Sequence, residues 1–154
     1  MKIIKVKKGQ ILQRNGDLNS KVYQVESGLL RSYSIDSKGK EHIYMFAPEG
    51  WIITDNVSSD VPADLFIDVL EDSVVIQRDK DEIIVTDTEK LIKRIGVLQK
   101  RIIMLMSATA IERYEHFIST YPDIVQRVPQ KLIASYLGIT PEALSAAKGS
   151  RARK

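Results

Sequence analysis

Apolar and polar positions change rhythm twice along the chain. Up to about Gln77 they come in short runs broken by turn residues. In KVYQVESGLLRSYSI, Tyr23 and Val25 share one face, and Leu29, Tyr33 and Ile35 recur beyond Gly28, where the change of phase predicts a bulge. DSKGK is a polar turn with its glycine at Gly39, EHIYMFAPEGW is an extended run stopped at Pro48 and Gly50, and DLFIDVL and SVVIQ add two more candidate strands. At least six strands with little helical periodicity predict a β-sandwich or β-roll.

The period lengthens at Asp79. DKDE carries an N-cap acceptor with Glu82 three residues on, which predicts a short helical turn. From about Thr88, Leu91, Ile95, Leu98, Ile102 and Leu105 advance by alternating steps of four and three, the spacing of a heptad seam on one long helix. Ile92, Ile103 and Met106 form a second apolar line beside it. A single seam can simply pack on the roll; two lines let one cover the roll while the other meets a second copy of the helix. Thr109 and Glu112 repeat the capping-box spacing and open another helix, which Tyr121 and Pro122 end.

The last rhythm is QKLIASYLGITPEALSAAK. Pro129 suits the first turn of a helix, Ile133 and Leu137 share a face, Gly138 suits a left-handed cap, and Thr140 with Pro141 forms an N-cap and first-turn pair. Ala134 is small where a second helix would cross, and Leu144 supplies the contact from that helix. The spacing of Ala134, Gly138 and Leu144 predicts a helix-turn-helix, with an ordinary helical hairpin as the bland alternative. The fold class expected is α+β: a roll of double-stranded β-helix or jelly-roll type over 1–86, a long connecting helix over 87–108, and a small helical domain over 109–154.

Composition narrows the functions. The 154 residues carry a net charge of +3 and no cysteine, so disulfides, thiolate metal sites, iron–sulfur clusters and cysteine nucleophiles are excluded. No charge-free apolar run reaches the ~18 residues of a membrane span, and the opening MKIIKVKKGQ has no secretion-signal core, so no membrane partner and a cytoplasmic location are expected. The charge is uneven. From Gln126 onward, Arg127, Lys131, Lys148, Arg151, Arg153 and Lys154 face the single acid Glu142, whereas Ile43 to Gln77 hold no lysine or arginine. Beside a helix-hinge-helix pattern this points to phosphate contacts rather than a solvated tail.

RVPQKLIASYLGITPEALS, with ERYEHFISTYP before it and APEGWIITD and LEDSVVIQRDKDEI earlier, resembles bacterial regulators of the Crp/Fnr family from about Val6 to Ser145. The resemblance implies a cyclic-nucleotide-binding-like roll, a long dimer helix and a C-terminal helix-turn-helix that binds double-stranded DNA as a homodimer. It implies a DNA-contacting set of Lys131, Thr140, Glu142, Ser145, Lys148, Arg151 and Arg153, a dimerisation set of Leu91, Ile95, Leu98, Ile102 and Leu105, and an effector pocket near Tyr33, Glu49, Gly50, Trp51 and Asp55.

The chain departs from that pattern in three places. The loop WIITDNVSSDVPADLFID has Ala63 or Asp64 where nucleotide-binding members place the phosphate-binding arginine, and Asp55, Asp60, Asp64 and Asp68 add negative charge. Cyclic AMP is therefore expected to bind poorly; no cofactor is expected, and any small-molecule effector is unknown. With His42 and His116 as the only histidines, a haem or a cupin-type metal set is not expected. The family commonly carries arginine after Ser145, where it can make two bonds to guanine; this chain has Ala146 and Ala147 there and reads as shortened at both ends. Trp51, the sole tryptophan, is expected either to line a pocket or to sit in plain core. No catalytic motif is present, and Asp55 and Asp60 read as solvated acids. Two functions remain: a DNA-binding regulator, or a dimeric interaction module that keeps the sensor fold without productive DNA binding.

Overall fold

The computed structural model describes residues 1–82 and 88–154. They divide into two units, Met1–Ile84 and Val85–Lys154. The expected boundary at 86 and 87 lies outside the described residues, and the long helix falls within the second unit.

The first unit is an antiparallel sheet of β1 (Lys2–Val6), β2 (Ile11–Gln13), β3 (Lys21–Ile35), β4 (Glu41–Ala47), β5 (Ile52–Ile53) and β6 (Phe66–Asp79). β3 and β6 form its spine, running from Lys21 opposite Asp79 to Tyr33 opposite Phe66. Each long strand carries two short ones in succession: β1 and β2 pair with β6, and β5 and β4 with β3. Inward residues from all the strands but β2 make one core, Val6, Tyr23, Val25, Leu30, Met45, Ala47, Ile53, Ile67, Val69 and Val75, with Leu12 of β2 and Trp51 packed against it.

Two expectations about this unit change. DLFIDVL and SVVIQ are a single strand, because the acidic pair Glu71 and Asp72 marks an irregularity in the ladder rather than a turn. Opposite it, β3 passes straight through Gly28, which adopts φ of 94° while the register shifts on either side. The Ser73 hydroxyl fills the bulge: it accepts from Leu29 N at 3.1 Å and donates to Glu71 O at 2.6 Å. Only glycine fits there, since a Cβ would stand 2.1 Å from Ser73 Oγ and 2.7 Å from the Asp72 carbonyl. The turn after β6 is a short 3-10 segment, Lys80–Glu82. No capping box closes it as expected, because the Asp79 carboxylate is paired with Lys21 and that of Glu82 with the Met1 amino group.

The second unit is helical: α1 (Thr88–Ser107), α2 (Ala110–Thr120), α3 (Gln130–Leu137) and α4 (Pro141–Ala152). The Thr109–Glu112 capping box forms as predicted, with Thr109 N donating to Glu112 Oε2 at 2.7 Å and Glu112 N to Thr109 Oγ1 at 3.4 Å. Phe117, Tyr121 and Tyr136 meet with ring centroids 5.4–5.6 Å apart and join α2 to α3. Ile124 and Val128, from the link between those helices, are also buried.

Candidate nucleic-acid interface

Local chemistry sets the angle between α3 and α4. Pro129 is the N-cap residue of α3 rather than inside its first turn, and its carbonyl accepts the first helical bond from Leu132 N at 2.9 Å. Gly138 closes α3 in the left-handed region at φ 65° and ψ 32°, and its N–H with that of Ile139 satisfies the carbonyls of Ala134 and Ser135. Shortly after it Thr140 caps α4, its Oγ1 accepting from Ala143 N at 3.1 Å, and Pro141 takes the first helical position. Ala134, Leu144 and Ala147 are buried where these helices pack, which is the helix-turn-helix the spacing predicts.

With Leu144 and Ala147 inward, the 3.6-residue repeat puts Glu142, Ser145, Ala146, Gly149 and Arg153 on the opposite face. Glu142, Ser145, Ala146 and Arg153 are exposed. α4 runs through Gly149 to Ala152, so the basic end of the chain is helical. Glu142 lies in the first turn and Arg151 in the last, each where the helix dipole favours its charge.

The expected DNA-contacting residues are thus only partly brought together. Glu142, Ser145 and Arg153 share the outward face, and Arg153 Nε reaches back to Gly149 O at 3.3 Å. Lys148 turns the other way, its ammonium 6.0 Å from the centre of the Tyr114 ring on α2. Arg151 is exposed near the end of α4, on the side of Leu144, and Lys131 is exposed in the first turn of α3. Thr140 is engaged as the cap.

Along α1, Leu91, Ile92, Ile95, Ile102, Ile103 and Met106 are 48–80% exposed and form one continuous stripe. Leu98 is half-buried, as is Leu105, which lies against the Gly138 turn. Two arginines that sequence reasoning passed over bind the same unit together. Arg101 of α1 stacks on Tyr136, 4.0 Å from the ring centre, and donates to the Tyr136 carbonyl at 3.3 Å. Arg113 of α2 reaches three main-chain carbonyls.

In the roll, the five expected pocket residues fall among three sets of partners. Glu49, Gly50 and Trp51 gather on β3: Glu49 Oε1 accepts from Gly28 N at 3.0 Å, Gly50 N donates to Val25 O at 2.8 Å, and Trp51 packs half-buried on the core. Tyr33 is buried, stacked on Phe66 at 5.2 Å with the Arg31 guanidinium 4.2 Å above its ring. Burial, with Asp68 nearby, raises the Tyr33 phenol above its ordinary pKa.

Asp55 is not a solvated acid. Its side chain is fully buried, ion-paired to Lys80, and accepts from Gln13 Nε2 at 2.9 Å. Asp68 is neutralised as well, gripped in two parallel bonds of 2.8 and 2.9 Å by Arg31, which also donates to Glu41 at 2.7 Å. Of the four acids expected to repel a phosphate, two therefore have their own cations. Asp60 and Asp64 remain exposed, and Ala63 is buried with its backbone bonded to Gly16 and Asp17.

Among the described residues no group of three or more His, Asp or Glu side chains could hold a metal ion. None of the described helices is long and apolar enough to cross a membrane.

A small antiparallel roll in one unit and a long helix followed by a helix-turn-helix in the other define a two-part α+β fold. The sequence matches no family model and no curated protein. Its structure is similar to that of FixK2 from Bradyrhizobium japonicum, at 22% identity over 99% of this chain and 84% of that one, with a TM-score of 0.82. It is also similar to a CRP/FNR-family transcriptional regulator from Thermus thermophilus, at 14% identity over 99% and 86% with a TM-score of 0.74. A third likeness is to CLP of Xanthomonas campestris, a c-di-GMP responsive global regulator, at 14% identity over 99% and 87% with a TM-score of 0.68. The chain has the Crp/Fnr fold.

Proposed function

We propose that this chain is a transcription regulator that dimerises along α1 and binds double-stranded DNA with α4. The observation that carries the reading is the outward face of α4: a helix-turn-helix closed by Gly138 and capped by Thr140 presents Glu142, Ser145 and Ala146 from the N-terminal half of its second helix, where such elements touch base edges. Two of the similar structures are named as regulators. The exposed apolar stripe on α1 supports a homodimer, and Lys131, Arg151 and Arg153 supply positive charge for phosphates. The reading is not enzymatic, requires no cofactor and places the protein in the cytoplasm. Cyclic AMP is expected to bind weakly, because Ala63 or Asp64 stands where nucleotide-binding members place the arginine, and Arg31 and Lys80 are engaged by Asp68 and Asp55.

One observation favours a second reading, a dimeric interaction module without productive DNA binding. The position after Ser145 is an exposed alanine, so α4 lacks there a long side chain able to give two bonds to guanine. Fluorescence anisotropy against random and promoter-derived duplexes, at two salt concentrations and with Ala146→Arg in parallel, separates the two. The regulator reading expects sequence-dependent binding by the natural chain that survives moderate salt. Binding that vanishes with salt, and becomes base-selective by ~1–3 kcal/mol only in Ala146→Arg, supports the second reading.

A further inference from the structure

The guanidinium of Arg113 lies between the ends of two helices. α1 finishes at Ser107, and the Leu105 carbonyl, in its last turn, has no helical partner ahead of it. Arg113 Nη2 donates to that oxygen at 2.8 Å and Nε to the Ala108 carbonyl just beyond at 3.1 Å. On its other side Nη1 donates to the Leu137 carbonyl, the last of α3, at 2.9 Å. The remaining carbonyls at the end of α3 behave differently, since Ala134 and Ser135 are served by the backbone of the turn itself and Tyr136 by Arg101 from α1. Two tertiary bonds to this end of α3 thus come from arginines, and one of those arginines is also bonded to the end of α1. Gly138, the hinge of the helix-turn-helix, touches the same group: a Cβ added there would stand 3.4 Å from Arg113 Nη1 and 3.7 Å from Leu105 Cδ2.

From this geometry we infer that Arg113 is a positioning residue that fixes the angle of the helix-turn-helix on the end of α1. A planar fork of donors with a permanent charge suits two negative helix ends at once; a lysine ammonium, a single point on a flexible stem, cannot span the three oxygens. The inference rests on the DNA-binding reading for its functional meaning, because an α4 held at a fixed angle to the dimer helix meets successive grooves in register. Its physical content is independent of that reading.

The test is a distance measurement in the full chain. The protein contains no cysteine, so spin labels can be placed singly, through Lys100→Cys on an exposed site of α1 and Ser150→Cys on α4. Labelled chain is diluted with unlabelled chain so that each dimer reports one intramolecular distance. The distribution from double electron–electron resonance is expected to be narrow in the labelled parent, broad in Arg113→Gln, and again narrow in Ile124→Val, a core change that lowers stability without touching the arginine. Arg113→Lys is expected to give an intermediate width, and is the variant read if Arg113→Gln does not fold. Duplex affinity should fall on the order of tenfold in Arg113→Gln, with half-recovery or less in Arg113→Lys. An Arg113→Gln distribution as narrow as the parent's overturns the inference, whatever the affinities. A broadened distribution in a protein whose parent binds no duplex supports the positioning role and overturns the DNA-binding reading instead.

Discussion

Asp55 and Lys80 show how much one pair can decide. The carboxylate is wholly out of water and the ammonium nearly so. Removing either partner leaves the other buried and uncompensated, so Asp55→Asn or Lys80→Met is expected to lower the stability of the roll by about 3–5 kcal/mol in urea unfolding. The double variant should cost much less than the sum of the two, because neither charge is then stranded. His116 makes a second residue-level prediction. Burial and the nearby Arg101 hold its imidazole below the ordinary value of 6.5, so the neutral form is favoured in the folded state. The unfolded chain then takes up the proton first as the solution is acidified. Stability is unaffected above pH 6.5 and declines as pH falls through 6.5 toward the depressed folded value, and His116→Gln should flatten that decline in thermal melts. None of this was legible in the sequence. Asp55 and Lys80 are 25 residues apart, and Arg31 and Asp68 are 37 apart; the second pair meets as ladder partners on β3 and β6, and the first in the segments that follow β5 and β6, two strands that both pair with β3. An acid in a loop with no adjacent cation reads as solvated, and here that reading fails.

Elements behaved according to how locally they are specified. The helices follow from caps and spacing: Thr109 with Glu112, Gly138, and Thr140 with Pro141 all stand where the side-chain chemistry demands. Each can be tested by removal. Thr140→Ala is expected to cost ~1 kcal/mol through the lost bond to Ala143 N, and Gly138→Ala about as much by forcing an L-residue into the left-handed region, both measured by thermal unfolding of the second unit. Strand continuity was harder to read, because a bulge and a turn use the same residues. Gly28 signals its bulge, yet nothing in Glu71 and Asp72 says that the strand continues through them; the partner strand decides that. Gly28→Ala is expected to lie at the severe end of single substitutions, on the order of 4 kcal/mol, since two of the atoms it would strike belong to Ser73 and the third is backbone.

At the scale of the molecule the order of regions was readable, with the roll before the long helix and the helix-turn-helix last, because each region has its own hydrophobic period. The partners of the five residues assigned to a pocket were not readable, since the winding of the sheet divides them among three sets. The stripe on α1 carries the remaining prediction. Ile95→Glu places a charge in the middle of the exposed apolar line without disturbing a buried contact, so sedimentation equilibrium should show the proposed homodimer weakened while circular dichroism is unchanged. The winding of the sheet also bears on how the chain is made. The ladder partners of β1, from Lys2 opposite Gln77 to Val6 opposite Ser73, are synthesised some seventy residues after it, whereas the helices of the second unit meet neighbours close in sequence. On the ribosome the first strand must therefore wait, its Ile4 and Val6 uncovered, until some seventy further residues have emerged. Lys2, Lys5, Lys7 and Lys8, of which only Lys7 joins an ion pair among the described residues, give that waiting segment a charge that opposes sticking to its own kind.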